Sequence, residues 1–522
     1  MDMFIKIAML VVFFGVMIGT GFYCRSHSTD VDGFVLGGRS VGPWLTAFAY
    51  GTSYFSAVVF VGYAGQFGWK YGIAATWAGI GNALIGSLMA WAILGRRTRV
   101  MTQHLNSATM PQFFETRFNN HALKLASSVI IFIFLIPYTA SLYNGLSRLF
   151  GMAFDIDYSV CVIVMAVLTG IYVIAGGYMA TAINDFIQGI IMLVGIVAVI
   201  AAVLKGHGGL MGALEGLAKV SDPAVSEAPG VFNSFLGPDP VNLMGVVLLT
   251  SLGTWGLPQM VQKFYAIKSE KAINKGMVIS TLFALVVAGG CYFLGGFGRL
   301  YADRINLAQD GFDAIIPAML SGLSPFLIAV VVILVLSASM STLSSLVLAS
   351  SSTLTLDFIK GTVVKDLSQK KQLFIIRVLI AVFIAISVVI AIVQYKSSVT
   401  FIAQLMGISW GALAGAFLAP FLYGLYWKRC SAAAVWASFA FSTVVMLANM
   451  LCKPLFPALL QSPINAGVFC MIAGLVIVPV VSLFTKAPDR EHIDQVFSCY
   501  DTKVVVSVTD AIGEPINKEE TK

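Results

Sequence analysis

Charge is what this 522-residue chain has least of: Asp, Glu, Lys and Arg together make up 11% of it, where a soluble domain carries about 25%. With 58% hydrophobic residues and a mean hydropathy of +0.88, a water-soluble globule is excluded. Cysteine is sparse and scattered. The seven, at 24, 161, 291, 430, 452, 470 and 499, form no CxxC pair and no even ladder, so they read as packing residues and not as a disulfide scaffold or thiolate metal site. The five histidines, His27, His104, His121, His207 and His492, fall in polar connections or the tail. No axial pair for haem therefore lies within an apolar stretch, which argues against a redox enzyme. A nucleotide-binding loop of the GxxxxGK(S/T) type is also missing, which removes ATP-driven pumping. The first apolar stretch lacks a basic leader and ends at Tyr23-Cys24-Arg25 instead of a small-residue cleavage site, so it is expected to stay in the chain as a helix.

What the chain has in plenty is apolar stretches long enough to cross about 30 Å of hydrocarbon, which takes about 20 residues in a helix. Thirteen are predicted: 2–24, 43–67, 71–96, 124–149, 157–176, 179–204, 241–264, 276–299, 317–357, 372–395, 398–427, 430–452 and 465–485. The expected class is an all-α, multi-pass membrane protein. Threading the spans alternately collects Arg25, Arg39, Arg96, Arg97, Arg99, Arg117, Lys124, Lys263, Lys268, Lys271, Lys275, Lys360, Lys365, Lys370, Lys371, Arg377, Lys428 and Arg429 on one side. Only Lys70, Arg148, Lys205, Lys219, Arg299, Arg304, Lys396 and Lys453 fall on the other. The positive-inside rule makes the first side cytoplasmic, with the N-terminus outside, the C-terminus inside, and a bacterial inner membrane the expected location. The net charge of +7 comes from those inner connections and calls for anionic lipid, not nucleic acid.

Against this apolar background one helix is rich in hydroxyls. Between Val331 and Asp357 lie eleven Ser or Thr residues. Spacings of three and four put Ala338, Ser341, Thr342 and Ser345 on one face. Small residues also let membrane helices pack closely, but packing needs about one per turn. Here Ser341, Thr342, Ser344 and Ser345 are almost uninterrupted, and hard oxygens on one face suit a small hard cation.

Two other spans carry breaks in matching places. Gly51-Thr52-Ser53-Tyr54-Phe55-Ser56 interrupts span 43–67, and Thr250-Ser251-Leu252-Gly253-Thr254-Trp255-Gly256-Leu257-Pro258 interrupts span 241–264, five spans later. Discontinuous helices at that separation predict a five-plus-five inverted repeat whose breaks meet near the midplane. Asp185, near the inner end of span 179–204, is a carboxylate in an apolar stretch and therefore a candidate ion ligand or proton relay. Asp357 reads as interfacial, beside Lys360.

The segments Gly37-Gly38-Arg39-Ser40-Val41-Gly42-Pro43-Trp44, Asn184-Asp185-Phe186-Ile187-Gln188-Gly189, Leu257-Pro258-Gln259 with Lys263-Phe264-Tyr265-Ala266, Met340-Ser341-Thr342 with Ser350-Ser351-Ser352 and Asp357, and Tyr426-Trp427-Lys428 together resemble the sodium:solute symporter family over roughly residues 35–430. The resemblance implies a leucine-transporter-type fold with one extra N-terminal helix and further C-terminal helices. The expected division is 1–42 (extra helix and first connection), 43–204 (first repeat), 205–240 (outer loop, a possible lid), 241–427 (second repeat), 428–485 (C-terminal helices) and 486–522 (tail). It also implies a sodium site built from the carbonyls of Thr52, Phe55 and Ala338 and the hydroxyls of Ser341 and Thr342. A second sodium site, found in some members, would draw on Asp185, Ser344 and Ser345.

The broken helices and their neighbours nominate Ser53, Tyr54, Ser56, Phe60, Tyr138, Thr254, Trp255 and Gln404 as solute-pocket residues, with Trp255 covering the site from the inner side. Proline-transporting members of the family carry an aspartate where Tyr54 stands and aromatics where Thr250 and Thr254 stand, which argues against proline. No Arg or Lys is expected in the cavity, so a small monocarboxylate or zwitterion fits best. The expected function is sodium-coupled symport of a small organic solute by alternating access, without catalysis, cofactor or obligate protein partner, sodium being the coupling ion. Proton coupling through Asp185 and a non-transporting solute sensor are the alternatives.

Overall fold

The computed structural model describes residues 2–27, 29–154, 157–307, 311–364, 366–397 and 402–501; the rest of the tail, 502–522, and the side chains of Tyr54, Arg148 and Lys396 lie outside the described residues. Among the described residues the chain is helical, with no strand beyond isolated bridges such as Val41 with Ile267. Ten helices are long and apolar enough to cross a membrane, or eleven if one bent pair counts as a span, so the number thirteen is not reproduced. The shortfall falls on two stretches, Val58–His104 of 47 residues and Tyr158–Lys205 of 48. At 1.5 Å per residue, each as a straight rod would run to about 70 Å, over twice the hydrocarbon thickness. Both instead turn at a glycine in nearly the same backbone state, Gly72 (φ 63, ψ −142) and Gly177 (φ 56, ψ −145). A side chain at either would be strained and would meet backbone, the Phe232 carbonyl oxygen at 2.0 Å or that of Phe34 at 2.7 Å.

The two breaks form as the sequence suggests, with one shift. Pro43–Tyr54 remains helical through Gly51, whose Cα packs on the Phe283 ring, and the interruption comes at Phe55 and Ser56 (Phe55 φ −87, ψ 115). The chain then resumes as Val58–Tyr63 and Ala64–Tyr71. The second broken helix starts at Pro240, capped by the Asp239 carboxylate on Asn242 N–H, and runs to Leu252. A tight turn over Gly253–Gly256 and an extended Leu257 (φ −82, ψ 122) precede the half-helix Pro258–Ala266, bent by 48°. The serine-rich helix spans Pro325–Thr353, its first turn capped by the Ser324 hydroxyl, and its described side chains from Val331 to Thr353 are all buried.

The basic connections gather at one end of the bundle, where they tie the structure together. Arg39 donates to the carbonyls of Ser107 (2.6 Å) and Tyr265 (3.4 Å), and Arg117 to those of Gly424 (2.8 Å) and Trp427 (3.0 Å). Two placements differ from the sequence reading. Asp357 is not an interfacial partner of Lys360: it is fully buried, accepting from Thr109 Oγ1 (2.6 Å) and Gln112 Nε2 (2.9 Å), because the short helix Met110–Phe118 folds back over the end of the serine-rich helix. Lys263 is not in an exposed connection either; it is 1% exposed.

At the opposite end a cavity of about 820 Å³ opens between Gln66, Asp239, Asn242, Val246 and Gln404. The 205–240 loop lies over it. Arg299 anchors that loop, reaching the Asp222 carboxylate at 2.9 Å and the Trp69 carbonyl at 2.6 Å while stacking on the Phe232 ring.

Candidate functional site

The breaks matter because an interrupted helix leaves carbonyls without an amide partner. Thr52 and Phe55 present theirs to the serine-rich helix. Ser341 Oγ lies 3.1 Å from both the Thr52 and Ala338 carbonyl oxygens, and Thr342 Oγ1 lies 3.1 Å from Thr52 O, 3.1 Å from Ala338 O and 3.3 Å from Phe55 O. All five oxygens nominated from the sequence thus converge on one buried point. A hydroxyl has a single hydrogen, yet Thr342 faces three carbonyl oxygens and Ser341 two. The cluster therefore holds more lone pairs than protons to satisfy them, a donor set that suits a small hard cation.

Of the second set, Asp185 and Ser345 come together around an internal cation, while Ser344 is engaged elsewhere. Lys263 Nζ, from the half-helix Pro258–Ala266, lies 3.1 Å from Ser345 Oγ and 3.8 Å from Asp185 Oδ2, over the Tyr178 ring. Ser345 Oγ is in turn 2.9 Å from Ser53 Oγ. The Ser344 hydroxyl donates to the Ser341 carbonyl at 2.9 Å.

The nominated solute residues other than Tyr54, whose side chain lies outside the described residues, divide into four groups. Ser56, Phe60 and Tyr138 are buried at the first break, and Tyr138 stands beside Ser56 with its ring edge-on to Trp410 at 5.9 Å. Trp410 packs against Gly253 at the second break. Neither the Tyr138 hydroxyl nor the Trp410 indole N–H has a well-formed hydrogen bond among the described residues, so both offer polar atoms between the two breaks. Thr254 and Trp255 point elsewhere: Thr254 Oγ1 donates to the Gly86 carbonyl (3.1 Å) and Trp255 Nε1 to that of Ile85 (3.0 Å), sealing the second broken helix against its neighbour. Thr250 Oγ1 bonds its own helix at Val246. Gln404 lines the 820 Å³ cavity at the far end, and Ser53 belongs to the Ser345 contact.

Two residues escaped the sequence reading. Trp410 sits in an unbroken apolar run where an aromatic reads as packing; the preceding Ser409, bonded to the Phe134 carbonyl, was the available sign that this face meets the helix of Tyr138. Lys263 was counted with the loop cations because it follows Pro258 by five residues, where a span could have ended.

The model of the sodium:solute symporter family matches residues 34–440. Proteins named sodium/proline symporter from strains of Staphylococcus aureus are 31% identical over 500 residues, covering 92% of this chain and 93% of theirs. Among solved structures, a Na+-coupled sialic acid symporter in a substrate-bound, outward-open state superposes with a TM-score of 0.72 at 16% identity, over 93% of this chain and 99% of that one.

Proposed function

Because this chain belongs to the sodium:solute symporter family and is a sodium-coupled solute symporter with a leucine-transporter-type fold, we propose that its coupling sodium binds between Thr52, Phe55, Ala338, Ser341 and Thr342. The observation that carries this is the reach of the Ser341 and Thr342 hydroxyls across to carbonyls freed at the first break. The ion would tie the broken helix to the serine-rich helix, which belong to opposite repeats if these are 43–204 and 241–427. Solute would sit between the breaks, against Ser56, Phe60, Tyr138 and Trp410. Each ligand then raises affinity for the other by the same factor.

The basic end is taken as cytoplasmic and the 820 Å³ cavity as the outer vestibule, in a cell membrane. No cofactor and no chemical step is called for: one cation crossing 100 mV releases about 2.3 kcal/mol, enough for roughly fifty-fold accumulation of solute. The pocket combines aromatic walls with hydroxyl and indole donors, and the buried lysine nearby is already engaged by Asp185 and Ser345. A small zwitterion or monocarboxylate fits it. The relatives named for proline make that amino acid the first solute to try, while Tyr54, Thr250 and Thr254 weigh against it.

The test follows thermal stability of the purified protein in sodium and in potassium, with Thr342→Ala beside the wild type, then adds a solute panel including proline at saturating sodium. Sodium-specific stabilisation that disappears in Thr342→Ala and deepens with one solute class is expected. Equal behaviour in the two salts, with a pH response lost in Asp185→Asn, would replace sodium by a proton.

A further inference from the structure

We propose that Lys263 is a resident cation of this transporter, its ammonium filling the place that a second sodium ion would take among Asp185, Ser344 and Ser345, so that the chain binds a single sodium. This rests on the sodium site assigned above. Asp185 is fully buried, and neither of its carboxylate oxygens has a hydrogen-bond donor among the described residues. An ionised carboxylate in so dry a place requires a counter-charge. Among the described residues, the one cation within ion-pair distance is Lys263 Nζ at 3.8 Å, which also contacts Ser345 Oγ at 3.1 Å and lies 5.0 Å from the centre of the Tyr178 ring. Those are oxygens a sodium ion would need. With the ammonium present the cluster is already neutral, and bringing in a further positive charge would leave one charge uncompensated in a low-dielectric interior.

The groups facing the cluster are otherwise uncharged: Tyr178 from the same helix as Asp185, Tyr172 beside Ser344, and Ser53 on Ser345. A tethered ammonium differs from an ion in one respect. It cannot leave. It moves only with the half-helix Pro258–Ala266, so Asp185 stays compensated throughout the cycle and adds nothing to the transported charge. Through Ser345 it is one hydroxyl away from Ser53, next to Thr52 of the first site.

The experiment counts radioactive sodium bound at saturation per molecule of full-length protein in lipid nanodiscs, which needs no solute. Wild type is expected to bind one ion, Thr342→Ala one with weaker affinity, and Lys263→Gln two, because the freed carboxylate recruits a second ion. The double variant Lys263→Gln with Asp185→Asn returns to one. A wild type that binds two ions, or a folded Lys263→Gln that stays at one, overturns the proposal. Should Lys263→Gln fail to fold, Asp185→Asn decides: one ion in both wild type and variant supports the resident cation, and a fall from two to one defeats it. No sodium bound by the wild type would defeat the first site itself, a result distinct from either.

Discussion

Phe55 and Leu257 hold nearly the same extended backbone, φ −87, ψ 115 and φ −82, ψ 122, each at the interruption of a broken helix, yet their carbonyls serve different ends. Leu257 O accepts from the amides of Met260 and Val261 at 3.0 Å and starts the half-helix that follows. Phe55 O faces the Thr342 hydroxyl instead. One break caps a helix. The other leaves an oxygen facing a hydroxyl, which is why the proposed sodium site draws on the first break and not on the second.

Removing the Thr342 hydroxyl should therefore weaken sodium while keeping the fold. Thr342→Ala loses a ligand oxygen in a dry site, and a fall in sodium affinity of roughly ten-fold or more is expected, about 1.4 kcal/mol or more. Thr342→Ser, which keeps the oxygen, should stay near wild type. Sodium titration of transport or of thermal stability measures both, and equal behaviour of the two variants would remove Thr342 from the site.

Tyr138→Phe and Trp410→Phe should act on the solute and not on the ion. Each deletes a polar atom that lies between the breaks without a well-formed bond, so the expected result is a raised KM for solute, several-fold, at an unchanged intrinsic sodium affinity measured without solute. If solute KM is untouched in both, the pocket lies elsewhere.

The bond from Thr109 to Asp357 joins the helix Met110–Phe118 to the end of the serine-rich helix, and it is expected to hold that end shut. Thr109→Val leaves a buried carboxylate short of a donor, a loss of about 1.5–3 kcal/mol for a bond to a charged group. A small cavity of about 10 Å³, lined in part by Thr109, Ser352 and Thr353, lies there. A cysteine placed at Ser352 should be slow to react with a thiol reagent in the parent and faster once Thr109→Val is added. An unchanged rate would show that this bond does not hold the end shut.

A pH effect is expected on the helix Met110–Phe118. Burial pushes the Glu115 carboxyl up, but His121 and Lys124, at 2.6 and 2.8 Å, outweigh it and hold it below the ordinary carboxylate range. A depressed value means the stabilisation is complete above the unfolded value of about 4.3 and is lost as pH falls through the folded one. The protection factor of this helix against hydrogen exchange, corrected for the intrinsic rates, should be steady above the ordinary carboxylate range and fall only as pH drops below it. The contact is partly exposed, so high salt should shrink the effect; Glu115→Gln should abolish it.

Much of this was legible in the chain. Low charge and long apolar runs gave the membrane class, Gly253, Gly256 and Pro258 marked the second break, and the density of hydroxyls from Ser337 to Ser345 marked the helix that faces the first break. What escaped depended on distance in sequence. Asp357 looked interfacial because its partners, Thr109 and Gln112, lie in a connection nearly half the chain away. Lys263 looked like a loop cation because nothing near it in sequence reveals Asp185 and Ser345 as neighbours. Thr254 and Trp255 were nominated for the solute because they are polar and lie at a break, but a helix that breaks must also be sealed against its neighbour, and the carbonyls of Ile85 and Gly86 claim them. Gly72 fell inside the predicted span 71–96 and Gly177 between 157–176 and 179–204, and nothing in the sequence marked the backbone state that turns the chain at either.

Two spaces in the molecule differ in size: about 820 Å³ beneath the 205–240 loop, and about 10 Å³ beside Thr109, Ser352 and Thr353. With the sodium site and outer vestibule proposed above, water filling the larger space would conduct, so little of the membrane voltage would drop there, and the electric field would be compressed into the half beyond the proposed site. The ion would then meet most of that field when that half opens and not when it binds. Voltage should accordingly drive the turnover rate strongly while leaving sodium affinity almost untouched, and the shape of the cavity, more than the identity of any ligand, decides which step of the cycle the cell's membrane potential powers.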